Sequence, residues 1–116
     1  PDRLHAAVQA IFEACGMVRA DAGLLAETLV AADLRGIHSH GVLRVPDYVA
    51  KLRHHGVDPK GRPVVVSDQG AALVIDGQNA MGQVASFYAM AKAIDRARTV
   101  NVAAAAVRGS NHCGAM

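Results

Sequence analysis

The chain has 116 residues, 52% of them hydrophobic, with two Phe, two Tyr and no Trp, so its core is expected to be aliphatic. The formal charge is +2, from 12 basic and 10 acidic residues without a Lys or Arg block, which is not the electrostatic footprint of a nucleic-acid-binding protein. The longest apolar run is too short to span a bilayer, and the first residues lack the features of a signal peptide. We therefore expect no nucleic-acid partner and no membrane partner.

The two cysteines, Cys15 and Cys113, lie far apart in unlike surroundings. A small disulfide-stabilised scaffold would use more cysteines. Reduced thiols in a cytoplasmic protein are therefore the better expectation.

The first 36 residues predict two amphipathic helices. Apolar residues from Leu4 to Cys15 recur at helical spacing, and Gly16 is placed to end that helix. A second helix is expected over residues 21–35, with Asp21 capping its start and Gly36 following its end. Its apolar stripe consists of Leu25, Leu29 and Ala32.

A third helix is predicted after the polar segment RGIHSHGVLR (residues 35–44). Pro46 fits a first helical position, and because a residue before proline is biased away from helix, residue 45 should lie outside it. The last turn should contain Arg53, His54 and His55, with Gly56 as the C-terminal cap.

The composition changes after residue 57. The turn-rich VDPKGRP leads to the short runs VVVS and AALVID, a hairpin whose predicted turn is Asp68, Gln69 and Gly70. The loop DGQNAMGQ, a turn and helix cap rather than a phosphate site, precedes a long helix with one face formed by Phe87, Met90, Ala91, Ile94 and Ala97. Residues 102–107 predict a buried strand. The expected domains are a helical segment, 1–57, and the start of an α/β domain, 58–116.

Three interpretations fit the segment RGIHSHGVLR. A metal site on His38 and His40 would need further ligands, and none stands at a suggestive spacing, so no metal is expected. A plain connection between helices, with Ser39 as a cap, leaves His40 and Arg44 unexplained. A site for a small hydroxy acid would use Arg44 for the carboxylate and His40, four residues earlier, as the base, with both on one face if that turn is helical.

A second polar cluster, formed by Ser110, Asn111, His112 and Gly114, leaves the carboxyl end of the last strand, where active-site loops commonly lie. Asn111 can donate and accept hydrogen bonds, and His112 can titrate. Taken alone, a polar loop with one solvated histidine explains it equally well. Cys113 has no feature that would support a nucleophilic role.

Three stretches in this order and spacing, DLRGIHSHGVLRVPDYVAKL, ALVIDGQNAMGQVASFYAMAKAIDRA and VRGSNHCGAM, resemble the malate/L-lactate dehydrogenase family, which includes sulfolactate dehydrogenase and is distinct from the Rossmann-fold enzymes. The resemblance implies an α/β fold, with an N-terminal helical segment followed by the start of a mixed-sheet NAD(P)-binding domain of the sulfolactate dehydrogenase-like type. It also implies a cytoplasmic homodimer that interconverts 2-oxo and 2-hydroxy acids with NAD or NADP.

The resemblance also implies roles for residues. His40, His112 and Ser39 would be catalytic, with either histidine as the proton-transfer residue. Arg44 and Asn111 would bind substrate, and His112 and Gly114 would contact the cofactor. Family members are longer, so the chain is expected to be their N-terminal part and to lack most of the cofactor site. Two other classes remain open, a non-catalytic dimerisation or interaction element and a metal-dependent hydrolase that uses the histidine pair.

Overall fold

The computed structural model describes residues 1–115. Its elements in chain order are α1 (Asp2–Ala14), α2 (Arg19–Leu34), two 3-10 turns (His38–His40 and Val42–Arg44), α3 (Val45–Arg53), β1 (Val64–Gln69), β2 (Ala72–Asp76), α4 (Gly82–Val100) and β3 (Ala104–Arg108). Within this described part, none of the helices is long and apolar enough to cross a membrane. The predicted order of helices, hairpin, helix and strand is confirmed.

The first two helices form where the apolar spacing predicts them. Glycines follow both, Gly16 with φ +92° and Gly36 with φ +76°, left-handed conformations that end a helix at little cost. The predicted cap of α2 is wrong, because the helix begins at Arg19 and Asp21 therefore lies inside its first turn. Asp21 instead forms an ion pair with Arg62, which ties α2 to the segment before β1.

The boundaries of α3 differ from the prediction at both ends. Val45 already has helical torsion angles (φ −53°, ψ −48°), so the expectation that Pro46 keeps it out of the helix is wrong. The physical reason is that the preceding 3-10 turn already runs right-handed and continues directly into α3. At the other end the helix stops at Arg53, and the left-handed residue is His55 (φ +58°) rather than Gly56.

One hydrophobic core joins the helical segment to the start of α4. Leu25 and Leu29 of the predicted α2 stripe are buried in it, α3 adds Tyr48 and Leu52, and Met81 comes from the loop before α4. Its members are Val8, Phe12, Met17, Ala22, Leu25, Ala26, Leu29, Tyr48, Leu52, Val57 and Met81. Burial of these side chains holds α3 against the residues that open α4.

β1 and β2 form the predicted antiparallel hairpin. The turn itself consists of Gly70 and Ala71. Asp68 and Gln69 were expected in the turn, but they pair with β2 as the last residues of β1. The hairpin is therefore tighter than the sequence indicates.

β3 lies beside β2 in parallel, with Ala72 opposite Ala104 and Asp76 opposite Arg108. Parallel neighbours need a crossover connection, and α4 provides it. The carboxyl ends of the two strands therefore meet at one edge of the sheet. The loops that follow Asp76 and Arg108 leave this edge side by side.

The last helix and strand are less buried than the sequence predicts. β3 spans Ala104–Arg108, and most of its residues are exposed in the described structure, so the prediction of a buried strand over 102–107 is wrong in this respect. The apolar face of α4 is exposed too, with Phe87, Met90 and Ile94 between 47% and 61% accessible. The reason is that α4 buries small residues near its first turns against the sheet and core.

Candidate active site

Asp33, at the end of α2, organises the turn that carries the SHG motif. Its Oδ2 accepts a hydrogen bond from the backbone N–H of Val42 at 2.9 Å, and its Oδ1 lies 3.0 Å from Nδ1 of His38. Gly41 passes so close to this carboxylate that a Cβ there would overlap it. The N–H of Val42, and secondly His38, hold the pKa of Asp33 below its usual value. The ionised side chain of Asp33 therefore fixes the backbone of this turn.

His40 lies at the top of this turn, where it is half-buried. Its Nδ1 is 2.9 Å from Oγ of Ser39, so the neighbouring serine orients the imidazole. The ring stacks on that of His112, with centroids 5.7 Å apart and planes inclined by 21°. The two histidines predicted from separate motifs therefore lie together, although they come from opposite ends of the chain.

The loop after β3 brings His112 to this position. Gly82, the first residue of α4, packs against the backbone carbonyls of Asn111 and His112 so closely that a side chain would overlap them. Nδ1 of His112 lies 2.8 Å from the hydroxyl of Tyr48 and receives the backbone N–H of Gly114 at 3.2 Å. Both contacts fall on the same nitrogen, which leaves Nε2 without a hydrogen bond to the described residues.

Two buried residues behind His112 were missed by the sequence reasoning. Tyr48 on α3 is 2% exposed, and Gln83 on α4 is completely buried. Nε2 of Gln83 lies 3.4 Å from the Tyr48 hydroxyl and donates to it. Burial raises the pKa of the Tyr48 phenol, an effect only partly offset by the hydrogen bond from Gln83. The sequence signal that could have revealed Gln83 is a glutamine among the apolar residues at the start of α4.

Arg44 is the predicted carboxylate-binding residue, and part of its guanidinium is already engaged. Nε donates to the backbone carbonyl of Ser39 at 2.6 Å, and Nη1 donates to Oδ2 of Asp47 at 3.0 Å. The Arg44 and Asp47 side chains are 38% and 61% exposed, and such pairs contribute about 0–1 kcal/mol. A carboxylate arriving from solvent can therefore compete with Asp47 for the guanidinium.

The expected common helical face of His40 and Arg44 is not formed. Two 3-10 turns meet at Gly41, whose backbone is extended (ψ −152°), so the segment is not one continuous α-helical turn. The two side chains are linked instead through Ser39, which contacts His40 with its hydroxyl and Arg44 with its carbonyl. Their proximity therefore depends on the backbone of the turn.

A groove of about 300 Å³ opens between α3 and the loop after β3. It is lined by Arg44, Asp47, Tyr48, Ala50, Lys51 and His112. Lys51 is a second cation that the sequence reasoning did not single out. Two cations against one carboxylate leave the groove with a net positive charge, which suits a small organic acid.

Asn111 and Gly114 have roles within the loop itself. The Nδ2 group of Asn111 lies 2.8 Å from the Ala80 carbonyl and 3.1 Å from Oδ1 of Asn79, and so joins the two loops that leave the sheet edge. Gly114 (φ +75°) has no side chain beside the exposed ring of His112.

The histidine pair of the SHG motif does not form a metal-binding cluster. Among residues 1–115, no group of three or more His, Cys, Asp or Glu side chains is arranged to hold a metal ion. His38 turns its Nδ1 toward Asp33, while His40 turns toward Ser39. The geometry therefore gives no support to the metal-dependent hydrolase.

The same arrangement of elements occurs in proteins of a known family. The family model for malate/L-lactate dehydrogenase matches residues 1–116. Hydroxycarboxylate dehydrogenase B of Escherichia coli is 38% identical over 111 residues, which are 96% of this chain and 31% of that protein. The chain thus spans about a third of the length of that relative.

Two solved structures agree with the predicted fold class. Sulfolactate dehydrogenase from Methanocaldococcus jannaschii has a TM-score of 0.95 at 35% identity, over 98% of this chain and 33% of that one. Malate dehydrogenase from Pyrococcus horikoshii has a TM-score of 0.94 at 34% identity, over 97% and 32%. The α/β fold of the sulfolactate dehydrogenase-like type is confirmed, and the chain belongs to the malate/L-lactate dehydrogenase family.

Proposed function

We propose that this chain supplies the substrate-binding part of an oxidoreductase that interconverts 2-oxo acids and 2-hydroxy acids. The observation that carries the proposal is that two of the predicted groups line one groove and that the third stacks on one of them. Arg44 and His112 line it, and His40 stacks on His112. Membership in the malate/L-lactate dehydrogenase family supports the reaction class.

Binding of the acid begins with its carboxylate. Arg44 offers a planar guanidinium that can give two parallel hydrogen bonds, and Lys51 adds positive charge to the same groove. Asp47, now paired with Arg44, is displaced or shares the guanidinium when the acid binds. The carbon that bears oxygen is then held beside the two imidazoles, with Oδ1 of Asn111 as a further polar group of the same loop.

The chemistry divides between a proton and a hydride. In the oxidation direction the hydroxyl proton of the acid moves to Nε2 of His40 as the C–O bond becomes a carbonyl, and Ser39 stabilises the resulting imidazolium through Nδ1. A bound nicotinamide would supply or accept the hydride, because no side chain in this groove can carry one. His112 and Gly114 are the residues that would lie beside it.

We further propose that the cofactor is NAD or NADP and that the protein works as a cytoplasmic homodimer. Cys15 and Cys113 are both free thiols, which suits a reducing compartment. The side chains of Phe87, Met90 and Ile94 on α4 are apolar and exposed, which supports contact with another protein surface. From the family resemblance we infer that a second copy of the chain provides part of that surface.

The proposed function is tested by following the oxidation of NADH and of NADPH, with a series of 2-oxo acids, by the oxidoreductase that contains this chain. The expected result is oxidation that depends on the oxo acid and is lost in His40→Ala. Oxidation that ignores the oxo acid, or none with any oxo acid and either cofactor, would contradict the proposal. Only the second result would favour a non-catalytic interaction element.

A further inference from the structure

The protonation of His112 follows from the contacts of its Nδ1 atom. The backbone N–H of Gly114 lies 3.2 Å from this nitrogen. A backbone amide can only donate, so Nδ1 must offer its lone pair. A neutral imidazole carries one proton, and that proton is therefore on Nε2.

The hydrogen bonds made by Tyr48 and Gln83 behind the ring must then both be donated in the direction of His112. Since Nδ1 accepts, the Tyr48 hydroxyl at 2.8 Å is the closer donor to its single lone pair, which the more distant Gly114 amide shares. The Tyr48 oxygen in turn accepts from Nε2 of Gln83, 3.4 Å away. If the Gln83 amide were flipped, its Oε1 would face the Tyr48 oxygen. No hydrogen bond would form there, because the Tyr48 proton is already donated to His112. The raised pKa of Tyr48 keeps this hydroxyl protonated, and thus a donor, at neutral pH.

The packing around the side chain of Gln83 does not require a polar residue at this position. It is completely buried, and its Oε1 has no hydrogen-bond partner in the described part of the chain. A buried acceptor without a partner destabilises a fold, so an apolar side chain of the same shape would suit this position better. Glutamine differs from such an apolar residue by its Nε2 donor. Gly114 packs close to this donor, because a Cβ added to Gly114 would lie 3.1 Å from Nε2 of Gln83.

We propose that Gln83 is a positioning residue that acts through Tyr48 to hold the proton of neutral His112 on Nε2. His112 then faces the bound oxo acid as a hydrogen-bond donor. The identity of the bound molecule rests on the proposed function, whereas the position of the proton rests on the contacts of Gln83, Tyr48 and Gly114 alone.

This tautomer separates the roles of the two stacked histidines. With Nε2 protonated, neutral His112 cannot accept the hydroxyl proton at the atom that faces the groove, so it polarises the carbonyl oxygen by hydrogen bonding. His40 differs because its Nδ1 faces the hydroxyl of Ser39, which can either donate or accept. His40 can therefore present a bare Nε2, and the structure assigns it the proton transfer.

The position of the proton is measured by nitrogen-15 NMR of the histidine rings, at a pH where the rings are neutral. In the unmodified protein, Nδ1 of His112 should resonate at the unprotonated position and Nε2 at the protonated position. In Gln83→Met and in Tyr48→Phe the two resonances should move toward each other, since the donors that select one tautomer are lost. The matched control is Gln9→Met, whose amide bonds Glu13 on α1, and it should leave His112 unchanged.

A His112 ring protonated on Nδ1, or a tautomer that neither variant alters, would overturn the inference. Should Gln83→Met fail to fold, Tyr48→Phe still tests it, because this change removes a single oxygen atom. The NMR readout needs neither oxo acid nor nicotinamide, so it can succeed where the proposed function fails. In active protein, Gln83→Met should lower kcat several-fold while KM stays near its original value and the thermal midpoint is unchanged or higher, since the unpaired Oε1 is removed. A loss confined to KM would also contradict the positioning role.

Discussion

The imidazole rings of His40 and His112 stack with their centroids 5.7 Å apart. One ring comes from the turn after α2 and the other from the loop after β3, so the contact joins the helical segment to the sheet edge. Each ring has its Nδ1 fixed by a different partner, Ser39 for His40 and Tyr48 with Gly114 for His112. The two histidines are therefore neighbours with unequal roles.

His40→Ala should reduce turnover of a 2-oxo acid by about 100- to 10,000-fold, the range typical of a lost general acid or base. Binding of the nicotinamide should persist, because we place the nicotinamide beside His112 and Gly114 rather than beside His40. Steady-state kinetics and a fluorescence titration of the reduced cofactor measure the two effects. His38→Ala is the control, since His38 is exposed and contacts Asp33. Equal losses in the two variants would argue against a catalytic His40.

Asp47→Asn should strengthen binding of the acid. The change removes the carboxylate that occupies Nη1 of Arg44, and an exposed pair of this kind contributes about 0.2–1 kcal/mol. KM for the oxo acid should therefore fall by about two- to fivefold. The matched control is Asp95→Asn, which breaks the exposed pair with Arg98 on α4. A KM that rises in Asp47→Asn would show that Asp47 helps to orient Arg44.

The stability of the SHG turn should depend on the ionisation of Asp33. Its pKa is lower in the folded protein, first because the N–H of Val42 bonds the carboxylate and then because His38 does. The sign follows directly: the ionised form stabilises the fold above the unfolded pKa of about 3.9, and this contribution is lost as the pH falls through the folded value. Asp33→Asn should cost about 1–2 kcal/mol at neutral pH and progressively less in acid.

Urea unfolding of the original protein and of Asp33→Asn across the pH range measures this difference. A gap between the two proteins that is constant with pH would mean that Asp33 acts through its shape rather than its charge.

Gly82→Ala should destabilise the protein and displace the loop that carries His112. A Cβ at Gly82 overlaps the carbonyls of Asn111 and His112, and overpacking of this kind costs about 1–3 kcal/mol. Gly23→Ala is the matched control, because Gly23 lies inside α2 and its Cβ would meet Gln9 only at an ordinary 3.5 Å. That control should gain about 0.5–1 kcal/mol from helix propensity. Thermal unfolding compares them, and similar midpoints would contradict the close approach.

Periodicity predicted the helices because burial of an apolar stripe is a local pattern. The stripe of α2 is buried as expected. The same reasoning failed for residues 102–107, because an apolar run does not reveal how many faces of a strand the described fold covers. Turn geometry also escaped prediction where tertiary contacts fix it, as at the close approach of Gly41 to Asp33.

The histidines and Arg44 could be named from the sequence because they stand in compact polar motifs. Tyr48 and Gln83 could not, since 35 positions separate them and only the packing of α3 against the start of α4 brings them together. Lys51 was not predicted from the sequence, because a lysine near the end of a helix is ordinarily a solvated residue. Compact motifs thus predicted the histidines and Arg44, whereas packing determined the residues behind them.

The central claim is that the groove of Arg44, Lys51 and His112 holds a 2-oxo acid by its carboxylate. The most direct test is an NMR titration of the histidine rings with a short 2-oxo acid such as pyruvate, alongside its neutral methyl ester. The account predicts that the acid shifts the ring signals of His40 and His112, that the ester does not, and that Arg44→Met abolishes the effect. Equal shifts with acid and ester, or shifts that persist in Arg44→Met, would contradict it.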